Sequence, residues 1–153
     1  MDITILKKVP LFDTLTDDEL SEVLRLAKEE EHKSGNKIFS EGDSGDRLYI
    51  INAGAVRISK NIPGIGEEAL CVLAPGDYFG EMALIDNAPR SADALSHEDA
   101  SLLTVSKADL EALMEKNKEL AYKLLWKFVE TLSKRLRETN DKIRSFFAMS
   151  GGF

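Results

Sequence analysis

Glu81 and Arg90 are the two residues whose types and spacing point most directly to chemistry. They lie in FGEMALIDNAPRSA, Phe79 to Ala92, where Gly80 and Glu81 open a short run of helix formers and Pro89 precedes the arginine. Amide N–H groups in the first turn of a helix, together with the helix dipole, attract an anion, and a glycine there permits close approach. Arg90 adds a planar fork that holds phosphate oxygens bidentately, on a backbone that Pro89 restricts. A carboxylate repels phosphate, so Glu81 is expected to accept hydrogen bonds from hydroxyls, its charge partly offset by the helix start. Phosphate beside hydroxyl describes a ribose phosphate.

The elements that must position this stretch change character along the chain. Thr16 and Glu19 form a capping box, and Leu20, Val23, Leu24 and Ala27 come after it at helical spacing, so a first helix is expected from about Asp17 to Lys28. Val9, Leu11, Phe12 and Leu15 are expected to pack against the strands downstream. From Gly35 to about Val105 the pattern is short apolar or alternating runs: Lys37 to Phe39, Leu48 to Ile51, Val56 to Ser59, Ala69 to Leu73, Ala92 to Leu95 and Leu102 to Val105. Closely spaced short strands with turn residues between them predict an antiparallel barrel or sandwich, with Asn61 to Gly66 as its best hairpin turn.

Ser106 and Asp109 are placed as a second capping box, opening a short helix that ends near Asn117. No proline or glycine interrupts Lys118 to Ala148, which predicts one long helix. Tyr122, Leu125, Val129, Leu132, Leu136, Thr139, Ile143 and Phe146 alternate at spacings of three and four, a heptad seam; Leu120, Leu124 and Phe128 form a second stripe. One stripe suits the domain's own strands and the seam suits a second copy, giving a parallel homodimer, with an intramolecular core for both stripes as the alternative.

Composition limits the function. The 153 residues suffice for one domain with a sizeable core, and 43% hydrophobic with 31% charged residues describes a globular chain. There is no run of 18 apolar residues and MDITILKKVP lacks a signal-peptide pattern, so a cytoplasmic location is expected and no membrane partner. The formal charge of −7 disfavours direct contact with nucleic acid, and it leaves local donors to hold any phosphate. Cys71, the only cysteine, lies in an apolar run and reads as a buried, inert thiol. His32 and His97 lack metal-ligand spacing, and no nucleophile–base pair or Walker loop is present, so neither a metal, a cofactor nor catalysis is expected.

FGEMAL followed by PRSA resembles the phosphate-binding cassette of the cyclic nucleotide-binding domain, the module of bacterial cAMP receptor proteins and of cyclic nucleotide-dependent kinase regulatory subunits. IFSEGDSGDRLYIINAGAVRI, Ile38 to Ile58, and LAPGDYFGE, Leu73 to Glu81, resemble the same family in order and register, over roughly residues 9–147. The resemblance implies an α+β, mainly β fold: an antiparallel, jelly-roll-like β-roll, a double-stranded β-helix, with an N-terminal helix and a helical lid. It divides the chain into a helical segment 1–34, the roll 35–105 with its cassette 79–92, and lid and dimerisation helices 106–153.

By the same resemblance, Arg90 holds the cyclic phosphate, Glu81 takes the ribose 2′-hydroxyl, and the backbone N–H groups of Gly80 and Ala83 contact the ribose phosphate, with Ala92 packing nearby. Met82 and Leu84 read as site or core, core first. Ser91 stands directly after the arginine, as a hydroxyl residue does both in cGMP-selective kinase domains and in cAMP receptors, so it leaves the base open. KRLRETNDK, Lys134 to Lys142, resembles the receptors' helix in which a Thr-Ser pair contacts the adenine amino group, one residue coming from the partner subunit. That pair falls on Thr139 and Asn140, and Arg135 falls where the receptors carry an arginine near the base. Val56, Leu70 and Leu73 would form an apolar wall. The expected function is a stand-alone, non-catalytic cyclic nucleotide sensor, cAMP favoured over cGMP, acting on an unidentified downstream protein. The alternatives are the sensor part of a Crp/Fnr-type transcription regulator without its DNA-binding domain, and a ligand-free interaction scaffold.

Overall fold

The computed structural model describes residues 2–151, the side chain of Ala83 excepted. Helices α1 (Ile3–Lys7) and α2 (Asp17–Leu26), with a 3-10 turn at Pro10–Phe12 between them, precede eight strands. These are β1 (Lys28–His32), β2 (Lys37–Phe39), β3 (Arg47–Ala53), β4 (Val56–Ile62), β5 (Gly66–Leu73), β6 (Tyr78–Phe79), β7 (Asp93–Ser96) and β8 (Ala100–Ser106). Helix α3 (Glu81–Asp86) lies between β6 and β7, and α4 (Lys107–Lys116) and α5 (Lys118–Met149) close the chain.

Two antiparallel four-stranded sheets, ordered β1-β8-β3-β6 and β2-β7-β4-β5, make the expected roll. The inner strands of the first, β3 and β8, are buried on both faces, which is why they read as nearly continuous apolar runs. Alternation along the strands divides the core in two. Tyr49, Ile51, Phe79 and Leu102 point into the roll against Val56 and Ala94 of the second sheet. Leu48, Ile50, Leu103 and Val105 point the other way, against Leu11, Phe12, Leu20, Leu113, Leu124 and Phe128 of the helical layer.

The helix ends are set by their caps. Thr16 accepts from Glu19 N–H while the Glu19 carboxylate accepts from Thr16 N–H, the full capping box. Ser106 accepts from Asp109 N–H at the start of α4, and Asn117 caps α5 by accepting from Leu120 N–H. The first helix stops at Leu26, two residues earlier than expected, because Ala27 is extended and Lys28 already pairs with Thr104. KEEEH is therefore a strand inside the segment read as helical, and the strands of the roll begin there.

The long helix is held unevenly. Leu120, Ala121, Leu124 and Phe128 are buried against the helical layer and the sheet, and Lys123 and Lys127 make ion pairs with Glu19 at 2.7 Å and Asp13 at 3.0 Å. No described residue of α5 beyond Phe128 is buried. Tyr122, Leu125, Val129, Leu136, Ile143 and Phe146 of the seam are exposed, so within one chain the two stripes do not share a core.

Candidate functional site

Arg90 is placed by its backbone before its side chain does anything. Its N–H donates to Asp43 O at 2.8 Å and its carbonyl accepts from Gly42 N–H at 2.9 Å, which fixes it to the turn after β2. The guanidinium runs inward, 5% exposed, over the ring of Phe39 at 4.3 Å and beside Tyr49 at 5.7 Å. Nη1 donates to Gly80 O at 2.9 Å and Nη2 to Arg47 O at 3.0 Å, while Nε is buried without a partner. Among the described residues no carboxylate forms an ion pair with it. Burial pulls its pKa below the usual arginine value, although it stays a cation at any physiological pH. A buried cation bonded only to carbonyls, with a donor left over, is poised for an anion.

Gly80 makes this approach feasible. Its φ of +87° favours glycine, and an added Cβ would stand 2.6 Å from Arg90 Nη1 and 3.1 Å from Arg47 O. It precedes α3, whose first turn has no side-chain cap.

Glu81, 1% exposed, faces the same space. Burial raises its carboxyl pKa, opposed chiefly by the charge of Arg135. Arg135 of α5 donates from Nη1 to Glu81 Oε1 and from Nη2 to Tyr78 O at 3.2 Å, with the Tyr78 ring 5.6 Å from its guanidinium carbon. No spacing or motif links these two residues in the sequence, where Arg135 is expected at the base and not on the carboxylate.

These groups border a cavity of about 430 Å³ between the roll and α5. Gly80, Glu81, Met82, Arg90, Ser91, Ala92, Leu70, Leu73, Arg135 and Thr139, all named from the sequence, line it. Val56 does not: fully buried between the sheets, it is core, and its neighbour by alternation, Ile58, takes the expected place in the wall. Asn140 is exposed and does not line this chain's cavity, since adjacent helical residues lie about 100° apart and Thr139 already faces it. Ala83 lies in α3, and its side chain falls outside the described residues. Met82 is about half exposed at the cavity instead of buried in the core, whereas Leu84 packs on the core beneath the helices.

Cys71 also departs from expectation. It is exposed and lines the cavity. A bulge between Ile58 and Ser59 pairs them with Cys71 and Ala69, so Leu70 is the extra residue and two consecutive side chains of β5 reach the same space. The packing around it pushes the thiol pKa above 9.0. Phe39, Phe79, Pro89, Glu138 and Lys142 complete the lining. Of these, Phe79 and Pro89 lie within the motif, and the stripe of Arg135, Glu138, Thr139 and Lys142, at helical spacing, was the signal available for Glu138 and Lys142.

No group of His, Cys, Asp and Glu among the described residues could hold a metal ion, and none of their helices is long and apolar enough to cross a membrane.

Known proteins resemble this chain in sequence and fold. The family model for the cyclic nucleotide-binding domain matches residues 29–117. The cyclic AMP receptor protein of Thermus thermophilus is 36% identical over 135 residues, covering 88% of this chain and 61% of the receptor. This chain thus spans about three fifths of that relative's length. A cyclic nucleotide-binding domain from Methylobacillus flagellatus superimposes with a TM-score of 0.82 at 28% identity, covering 94% of this chain and 80% of that one. The regulatory domain of Toxoplasma gondii PKA, crystallised with cAMP, gives a TM-score of 0.72 at 27% identity and covers 89% of this chain and 48% of that one.

Proposed function

This chain belongs to the cyclic nucleotide-binding domain family, and from that premise we propose that it is a non-catalytic sensor that takes up a cyclic nucleotide, cAMP in preference to cGMP, in the cavity beneath α5. One observation carries the reading: Arg90 is a buried cation at the cavity wall with no carboxylate partner and an unpartnered Nε. A cyclic phosphate would supply the missing charge and acceptors, and a guanidinium–phosphate pair in a half-dry pocket is worth far more than one in water. Glu81 is the acceptor for the ribose 2′-hydroxyl, and Ile58, Leu70 and Leu73 give the base an apolar wall. About 430 Å³ falls within the usual range for small-molecule sites, roughly 300–1,000 Å³.

Binding signals only if the ligand interacts differently with two arrangements of α5. The uneven anchoring of that helix supports such a role: its first half is packed and ion-paired to the helical layer, and in its second half Arg135 reaches the cassette. The exposed seam from Tyr122 to Phe146 supports pairing with a second copy through α5, which sedimentation at increasing concentration would show as a dimer. The match to the Thermus receptor over 88% of this chain supports a second reading, in which the module is the sensor part of a DNA-binding regulator. Ligand-dependent retention of a DNA duplex would favour that reading.

The direct test is calorimetry with cAMP and cGMP. Arg90→Ala should weaken cAMP binding by roughly tenfold to a hundredfold, the worth of charge-assisted hydrogen bonds, while the circular dichroism stays native. Arg90→Lys keeps the charge without the fork and should fall between. Unchanged affinity in a folded Arg90→Ala protein refutes the assignment.

A further inference from the structure

Cys71 is a nucleophilic group in the cavity wall that uptake of a cyclic nucleotide leaves without a task. It is the chain's only cysteine, so no disulfide within the molecule is open to it, and any sulfur it joins must come from outside. The bulge at Ile58 and Ser59 makes Leu70 the extra residue of β5, and the free thiol next to it is exposed at the cavity. Arg90 makes the surroundings of this thiol more than a bare wall. It is 5% exposed and lines the same cavity with Nε buried and unpartnered, so the space is built to hold an anion. The charged lining residues are Arg90, Arg135 and Lys142 against Glu81 and Glu138, and Glu81 is already taken by Arg135. On a chain of formal charge −7 the cavity is thus lined by an excess of cations. Arg135 and Lys142 act electrostatically on the thiol itself, opposed by Asp77 and Glu138. About 430 Å³ beneath α5 admits a small molecule and excludes a folded protein.

We propose that Cys71 is a thiol modification site inside the cavity, taking up low-molecular-weight disulfides that carry carboxylates, and that the adduct and a cyclic nucleotide exclude each other. The inference rests on the reading of the cavity as a cyclic nucleotide site and adds to it a means of closing that site. The step is thiol–disulfide exchange. Cys71, as thiolate, attacks one sulfur of R–S–S–R; the Cys71–S–S–R bond forms, the original S–S bond breaks, and R–S⁻ leaves and takes up the proton that Cys71 gave up. Cys71 is oxidised and half of the disulfide leaves reduced as R–SH, so no further oxidant is needed. Carboxylates on R are drawn to Arg90 and Lys142, so the adduct and a nucleotide phosphate compete for one guanidinium as well as for the wall of Leu70 and Cys71. Burial raises the thiol pKa, and this acts on both directions of the exchange. Little thiolate is present near neutrality, so the adduct forms slowly. A thiol of raised pKa is also a poor leaving group, so a second thiol that attacks the outer sulfur expels Cys71 slowly, while the walls hinder attack on the inner one. The adduct therefore persists once formed, and the site responds to sustained oxidation.

Glutathione disulfide added to the full chain is the probe, with intact-mass spectrometry to count adducts and calorimetry to measure cAMP binding. Wild type should take up a single glutathionyl group, and the adduct should weaken cAMP binding by at least about tenfold, with full recovery when dithiothreitol removes it. Recovery distinguishes a blocked site from an unfolded chain. Cyclic AMP at about ten times its dissociation constant should slow the uptake about tenfold, since only the empty cavity reacts. Cystamine, a smaller disulfide with amines in place of carboxylates, should react more slowly than glutathione disulfide once both rates are scaled to those of a free thiol. Cys71→Ser should take up no adduct, and its cAMP affinity, whatever its value, should be the same before and after treatment. A folded wild type that takes up no glutathione, or that binds cAMP equally well with it, overturns the proposal while leaving the cyclic nucleotide reading intact. Cystamine reacting faster overturns the choice of carboxylate-bearing disulfides. Absence of binding to cAMP and cGMP in reduced wild type removes the reading of the site itself, and the proposal with it.

Discussion

Arg135, near the middle of α5, donates to the carboxylate of Glu81, which is 1% exposed on a helix 54 residues earlier in the chain. The carboxylate assigned to a ribose hydroxyl therefore already has a partner on the lid. Since Arg135 also donates to Tyr78 O, it ties α5 to β6 as well as to α3. Ligand occupancy and lid position share one carboxylate.

Removing that partner should be felt in a pH-dependent way. Burial holds the Glu81 carboxyl above its ordinary 4.5 in the folded chain. A raised carboxyl pKa means that its contribution to stability is fully present below about 4.5 and is lost as pH rises through the raised value. Arg135→Ala takes away the main opposing charge and raises it further. Arg135→Ala should therefore cost about 1 kcal/mol of unfolding free energy at pH 7.5, discounted because 40% of the Arg135 side chain is in solvent, and less at pH 5. Glu81→Gln should flatten the profile relative to wild type. Urea midpoints from pH 5 to 8 decide it; an Arg135→Ala deficit that is the same at both ends contradicts the coupling.

Gly80→Ala should be more damaging than its size suggests. It places an L side chain at φ +87° and 2.6 Å from the Arg90 guanidinium. Gly35→Ala is the control, with the same φ and nothing within 4 Å. The control should lose about 1 kcal/mol from backbone strain alone, and Gly80→Ala roughly 1–3 kcal/mol together with weakened cyclic nucleotide binding. Equal losses with unaltered binding would mean that the contact with Arg90 is unimportant.

The Cys71 thiol reports on the cavity. Because burial raises its pKa above the ordinary thiol value, little thiolate exists near neutrality, and alkylation should be slow at pH 7.5 and climb about tenfold per pH unit as the pH approaches the raised pKa. Saturating cAMP should slow it further by covering β5. Labelling followed by mass spectrometry measures both effects, and labelling indifferent to cAMP would place the ligand elsewhere.

The features legible before folding are those encoded over a few residues. The Thr16–Glu19 capping box, the Pro63–Gly64 turn and the runs of β2, β3, β4, β5 and β8 are local, and each appears where its pattern lies, while of the box expected at Ser106 and Asp109 the serine cap forms without the reciprocal carboxylate bond. KEEEH escapes because its strand is half exposed at a sheet edge and draws its order from β8, while its Glu and Lys read as the tail of a helix. Tyr78–Phe79 is too short to show a period and exists as a strand through its pairing with Tyr49 and Ile50.

The site divides along the same line. Sequence alone marked Glu81 and Arg90, nine residues apart, as the residues of one cassette, because their types, the glycine before one and the proline before the other form a local pattern. Tertiary structure alone decided that Arg90 has carbonyls instead of a carboxylate for company, that Arg135 takes Glu81, that Val56 turns into the core, and that a bulge turns Cys71 into the cavity. Those outcomes depend on the packing of segments tens of residues apart. Burial, and the charge a buried group meets, are properties of the packed whole that no local spacing encodes.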